Sequence, residues 1–191
     1  MTIAFRGVLR WGLAACGALA AAVGAYAATL VSTGNFHELV PGEAFRSAQP
    51  SQELILRLRR EHGLATILNL RGASVGRPWY DDEAKAARAA GVQLISFRMS
   101  AATELTPDEV RRLIAIMRDA PKPILIHCRS GADRTGIASA LYLAALKGAD
   151  EERAEWQLSP LYGHVAFYGL PSFAMDRTWE ATEPSLGFFG S

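Results

Sequence analysis

The chain has 191 residues, 50% of them hydrophobic and 20% charged, with a formal net charge of +1. This is the composition of a globular protein long enough to bury one good core, which excludes a disordered chain. The near-neutral balance gives no global field for a polyanion, so no nucleic-acid partner is expected and any preference for anions has to be local.

Taken in chain order, the first feature is apolar. From Trp11 to Val31 there is no charged residue, and these roughly 21 positions suffice to cross a bilayer as a helix. Arg6 and Arg10 precede the stretch and the next Lys or Arg is Arg46, so the positive-inside rule puts the N-terminus in the cytoplasm and the remainder outside it, in the periplasm if the cell is bacterial. Ala25-Tyr26-Ala27 before Ala28 also fits a signal-peptidase site; secretion after cleavage near Ala27 is the alternative to an uncleaved anchor. The expected division is a stub and membrane helix over 1–33 and a folded domain over 34–191, with Ser32 to Asn35 as a polar hinge.

A helix is expected from Ser51 to His62, where Leu54, Ile55 and Leu58 recur at helical spacing, with Gly63 as its stop. Leu64 to Leu70 reads as a buried strand, Asp81 to Ala90 as a helix closed by Gly91, and Val92 to Phe97 as a second strand. Thr106-Pro107-Asp108-Glu109 is a capping box with proline at the first helical position, predicting a helix from Pro107 to about Asp119. Ile124 to Ile126 is a further strand, Thr135 to Leu146 a buried helix, and Asp150 to about Leu158 another. The tail from Ser159 to Ser191 has little periodicity and is expected to wrap the core. The alternation predicts an α/β domain, a largely parallel central sheet flanked by helices, whose ligands collect at the carboxyl ends of the strands.

His127-Cys128-Arg129-Ser130-Gly131-Ala132-Asp133-Arg134-Thr135-Gly136 falls at such an end, between a strand and a helix. A helix N-terminus offers backbone N–H groups and a positive dipole, which suits a dianion. Arg134 adds a planar fork for two phosphate oxygens. The same field ionises a thiol, and Cys128 is one of only two cysteines, with no resolving partner nearby for dithiol chemistry. Cys128 is the expected nucleophile, residues 129 to 134 the phosphate cradle, Thr135 the donor to the leaving thiolate, and His127 a support of the loop. The four histidines are scattered, so neither a metal site nor a cofactor is expected.

The segment HCRSGADRTG resembles the signature loop of the cysteine-dependent tyrosine and dual-specificity phosphatases, His-Cys-x5-Arg followed by Ser or Thr. Phe45-Arg46-Ser47-Ala48-Gln49-Pro50 and Leu68-Asn69-Leu70-Arg71 are similar to the compact atypical branch with bacterial members. The resemblance implies a cysteine-phosphatase fold, a phosphocysteine intermediate, and a phosphorylated protein, lipid or small molecule as substrate. It also implies an aspartic general acid in the loop before the fourth helix, but Met99 to Thr106 holds no Asp. Glu104 is the sole carboxylate there, and Asp133, beside the arginine, is its rival. Arg71, His164 and the trio Asp81-Asp82-Glu83 read as structural, the last as an acidic first helical turn. A rhodanese-like sulfurtransferase and a non-catalytic phosphate-binding module are the competing functions.

Overall fold

Short runs holding Ile and Leu become three strands of a five-stranded sheet in the order β1-β2-β5-β3-β4. The strands are β1 (His37–Val40), β2 (Ala44–Ser47), β3 (Thr66–Asn69), β4 (Gln93–Ser96) and β5 (Ile124–His127). Only β1 runs antiparallel to its neighbour, and the other four are mutually parallel. The computed structural model describes residues 2–189, and the side chains of Arg6 and Arg10, which carried the predicted orientation, lie outside the described residues.

The pleat sends alternate residues of β5 to opposite faces. Leu125 joins Phe45 and Ile67 beneath α2 (Gln52–His62) and α3 (Pro78–Ala90). Ile124 and Ile126 join the larger core beneath α4 (Pro107–Asp119), α5 (Asp133–Leu141) and α7 (Ala174–Leu186). The short α6 (Glu151–Glu155) lies between α5 and the tail in sequence. The Thr106 capping box forms as expected, with Glu109 reaching back to the Thr106 amide at 2.8 Å.

Several expectations change. The third helix starts at Pro78 rather than Asp81. The helix after the cysteine loop starts at Asp133 and passes into a π-helical turn over Tyr142–Leu146. The predicted hinge is a tight turn in which Gly34 and Asn35 take φ of 64° and 47°, and the preceding helix, α1 (Thr2–Ser32), runs up to it. The tail does wrap the core, but through a 13-residue helix, α7, which the irregular spacing of its apolar residues concealed. Trp179 on α7 is buried in the main core. Trp179→Ala should therefore cost about 3–5 kcal/mol in urea unfolding, and a cost below about 1 kcal/mol would mean that the tail is peripheral.

Candidate active site

The parallel register aligns Ser47, His127, Asn69 and Ser96 in one row at the carboxyl end of the sheet. The Cys128 loop leaves β5 at this row and ends where α5 begins, so it lies at the positive end of a helix. Cys128 is buried, Arg129 and Ser130 are exposed, and Gly131 and Ala132 are buried. Gly131 has φ +76°, and a Cβ there would stand 2.7 Å from the Ala48 amide nitrogen and 2.8 Å from the Ser47 carbonyl carbon. Glycine is thus required both by conformation and by backbone contact.

Each loop carbonyl from Cys128 to Gly131 has a donor outside the loop. His127 Nδ1 lies 3.2 Å from the Cys128 carbonyl, and the Gln49 amide donates to the Arg129 carbonyl at 3.2 Å. Asn35 Nδ2 donates to the Ser130 carbonyl at 3.0 Å and to the Tyr162 carbonyl at 2.8 Å. Arg46 Nη2 donates to the Gly131 carbonyl at 2.8 Å. A planar trans peptide points its N–H opposite to its C=O, so carbonyls held outward aim the next amides inward. The Gly131 amide follows this rule and donates to Cys128 Sγ at 3.3 Å.

These donors are themselves fixed. Arg46 is fully buried, bonded through Nη1 to the Gln157 carbonyl and side chain at 3.1 and 2.7 Å, and its guanidinium lies 3.7 Å from the centre of the Tyr162 ring. Burial pulls its pKa down to about 10 against the opposing pull of Tyr162 and Cys128, which leaves it a cation at neutral pH. His127 Nε2 is 2.6 Å from Glu83 Oε1, both side chains fully buried. Glu83 Oε2 accepts from Asn69 at 2.8 Å and from Gln49 at 3.0 Å. Glu83 therefore leaves the acidic first turn assigned from sequence and becomes a buried strut beneath the loop, because α3 starts a turn earlier and rotates that residue inward.

Arg134 lines a cleft of about 510 Å³ with Arg71, Arg98, Met99 and Glu104, and its Nη1 lies 3.4 Å from the Met99 carbonyl. Arg71 bonds Gln49 Oε1 at 2.6 Å and stacks on Trp79 at 3.3 Å. Its pKa is lowered by burial and then by the cations Arg134 and Arg129, which places it at the mouth and not on a remote surface. The two candidate acids are separated. Glu104 is half-exposed and paired with Arg177 at 2.5 Å, while Asp133 Oδ1 is 2.7 Å from His164 Nδ1. His164 is buried and bonded on its other nitrogen to Asp176 at 3.0 Å. Burial alone would lower the His164 pKa, but the bonds and charges of Asp133 and Asp176 outweigh it and push it up to about 9.

The Thr135 hydroxyl, the expected donor to the leaving thiolate, is buried without a hydrogen-bond partner. Among the described residues no group of three or more His, Cys, Asp or Glu is placed to hold a metal ion. Asn35, Arg46, Gln49 and Gln157 were missed as parts of the site. Arg46 and Gln49 stood inside a quoted family segment, but no local signal marks a side chain whose partner is about a hundred residues away.

A family model described as a DSP-PTPase phosphatase fused to NAD+ kinase matches residues 33–162. No curated protein sequence matches the chain. Among solved structures, TpbA from P. aeruginosa aligns with a TM-score of 0.59 and 22% identity, over 81% of this chain and 89% of that one. TpbA has also been solved in complex with pTyr. PTPMT1 in complex with PI(5)P gives 0.57 and 12%, over 78% and 97%. The core catalytic domain of the PP-IP phosphatase SIW14 from S. cerevisiae gives 0.57 and 19%, over 82% and 94%. At these identities the structural likeness establishes the fold; the family match, which spans the sheet and the whole Cys128–Arg134 loop, establishes more, and the chain belongs to the DSP-PTPase family of cysteine-dependent phosphatases.

Proposed function

We propose that Cys128 is the nucleophile of a phosphomonoester hydrolase and that the amides of residues 129 to 134 with the Arg134 fork hold the phosphate. The observation that carries this is the set of outward-held carbonyls, which gathers the loop amides round the sulfur. The sulfur attacks phosphorus, the bond to the leaving oxygen breaks, and that oxygen takes a proton from the general acid. Water then attacks the thiophosphate, the S–P bond breaks, a proton returns to the acid, and phosphate leaves. Inward amides and Arg134 stabilise the equatorial charge of both steps, and the unpartnered Thr135 hydroxyl is available to the departing thiolate.

Asp133 is the better supported acid. It adjoins Arg134 at the start of α5, and its Oδ1 lies 2.7 Å from His164 Nδ1, so the imidazole can resupply a proton that the carboxyl passes to the leaving group. Glu104 points to Arg177 at the rim, and is the second reading only because it lines the same cleft as Arg134. Phosphotyrosine and an inositol phospholipid are ligands of structural neighbours, so a phosphoprotein and a phospholipid are both chemically reasonable substrates. We also assign residues 1–33 to a membrane anchor and 34–191 to the catalytic domain, with that domain outside the cytoplasm; α1 supports this through the apolar span Ala14–Ser32.

Cys128→Ser should lower kcat on aryl phosphate by at least about 10⁴-fold while phosphate or vanadate still binds; residual turnover within tenfold of the parent would remove the nucleophile assignment. Asn35→Asp turns an acceptor towards the Ser130 and Tyr162 carbonyls and keeps side-chain size. It should lower kcat about 10²-fold and weaken vanadate binding with little change in melting temperature, and unchanged kinetics would mean that the loop holds its shape without this donor.

Asp133→Asn should slow alkyl phosphates, which need leaving-group protonation, far more than p-nitrophenyl phosphate, and should abolish the alkaline fall of the rate. Glu104→Gln should change neither; the reverse pattern would transfer the role. Because the His164 pKa is raised above its ordinary 6.5 to about 9, its stabilising contribution is full below about pH 6.5 and is lost as pH rises through about 9. His164→Gln should flatten stability in that window.

A further inference from the structure

The last turns of α1 touch the catalytic body beside Leu161 and Gly163. The Tyr26 hydroxyl donates to the Leu161 carbonyl, and Leu30 Cδ1 lies 3.2 Å from where a Cβ on Gly163 would stand. Tyr26 is six positions before Ser32, so this contact lies about 9 Å back along the helix, beside its charge-free stretch rather than beyond it.

The segment that meets α1 is itself charge-free. From Trp156 to Met175 the chain carries no Asp, Glu, Lys or Arg. Leu161, Val165, Phe167, Tyr168 and Leu170 are all exposed, Tyr168 to 95%. Five large apolar side chains over ten residues, rich in aromatics and continuous with an apolar helix, match the belt that proteins place at a membrane–water boundary. On the other flank, Arg57 and Arg60 outnumber Glu53 in a cleft of about 770 Å³ that includes Val31 to Gly34, which suits anionic headgroups. Gln49 lines this cleft too, and its amide bonds the Arg129 carbonyl of the phosphate loop. One side chain, Asn35, joins the carbonyl of Ser130 in the loop to that of Tyr162 in the apolar segment.

We infer that the face formed by residues 161–170 and the end of α1 rests in the headgroup layer of the bilayer, so that the Cys128 loop works on a phosphomonoester headgroup of a membrane lipid. This rests on the phosphatase reading of the loop and on α1 being retained as an anchor. The geometry gives the preference a cause: a loop joined by one side chain to a segment lying in the headgroup layer meets lipid phosphates at very high local concentration, whereas a folded phosphoprotein has to enter between body and membrane.

The test uses the full, uncleaved chain in phosphatidylcholine nanodiscs containing phosphatidic acid as the lipid phosphomonoester, with soluble p-nitrophenyl phosphate and a phosphotyrosine peptide assayed in the same discs. The parent protein should release phosphate from phosphatidic acid at a kcat/KM at least tenfold above that for the peptide. The combined variant Phe167→Ser, Tyr168→Ser and Leu170→Ser should lose at least tenfold on the lipid and keep its rate on p-nitrophenyl phosphate, which also reports that it is folded. A nitroxide attached through Tyr168→Cys in a Cys16→Ser, Cys128→Ser background, which leaves position 168 as the single thiol, should be more accessible to oxygen than to a water-soluble nickel chelate. Peptide turnover with the lipid untouched, equal loss on lipid and p-nitrophenyl phosphate, or a nickel-accessible label would each overturn the inference and leave the phosphatase standing. Absence of turnover on all three substrates by the parent would strike at the catalytic reading of the loop instead.

Discussion

The site depends on one constraint: the carbonyls of the Cys128 loop have to face away from the sulfur, because only then do the following amides face it. A free loop would hydrogen-bond its own carbonyls or water. Here four donors from three parts of the chain, Asn35, Arg46 with the nearby Gln49 amide, and His127, take them one by one. Each bond is modest alone, about 1 kcal/mol net, and more where the donor is a buried cation. Together they prepare an anion site in advance, so that no reorganisation is needed as charge develops.

A buried guanidinium and a buried carboxylate are expensive to desolvate, and their retention beneath one loop needs a reason beyond stability. Arg46 reaches Gly131, Gln157 and the Tyr162 ring, while Glu83 holds His127, Asn69 and Gln49. The first ties the loop to the tail and the second ties it to the strand ends. Replacing either by a hydrophobic residue could preserve packing, but it would release a loop carbonyl or let the His127 ring turn. The polar core at this end of the sheet is thus organised around the direction of a few peptide groups.

Features with a local physical signal were legible in the sequence. The capping box at Thr106 and the apolar run of β5 appear where they were expected, and the Cys128 loop falls between a strand and a helix. What escaped were features defined by distant partners. β1 and β2 are four residues each, too short for a period to register, and β2 becomes a strand by pairing with β5 some eighty positions away. Glu83 looked like a helix-start carboxylate because Asp81 and Asp82 precede it, and only the earlier start at Pro78 turns it inward. His164 looked isolated because Asp133 and Asp176 approach it from separate elements.

Asn35 shows why α1 and the Cys128 loop are not independent modules. It follows the end of α1 by three positions, sits in a left-handed conformation with φ 47°, and is almost fully buried. Asparagine is among the few side chains that tolerate this backbone while presenting two N–H donors at short reach. Those donors go to the phosphate loop and to the tail segment beside α1, and its carbonyl oxygen lies 3.1 Å from His37 Nε2. The Gly34 carbonyl accepts from the Ala48 amide at 2.8 Å, which fixes the turn against the body. Inserting or deleting a residue between Ser32 and Asn35 would therefore do more than shift the end of α1. It would withdraw the donor that keeps the Ser130 carbonyl outward, so the path by which the chain leaves α1 also sets the shape of the anion site.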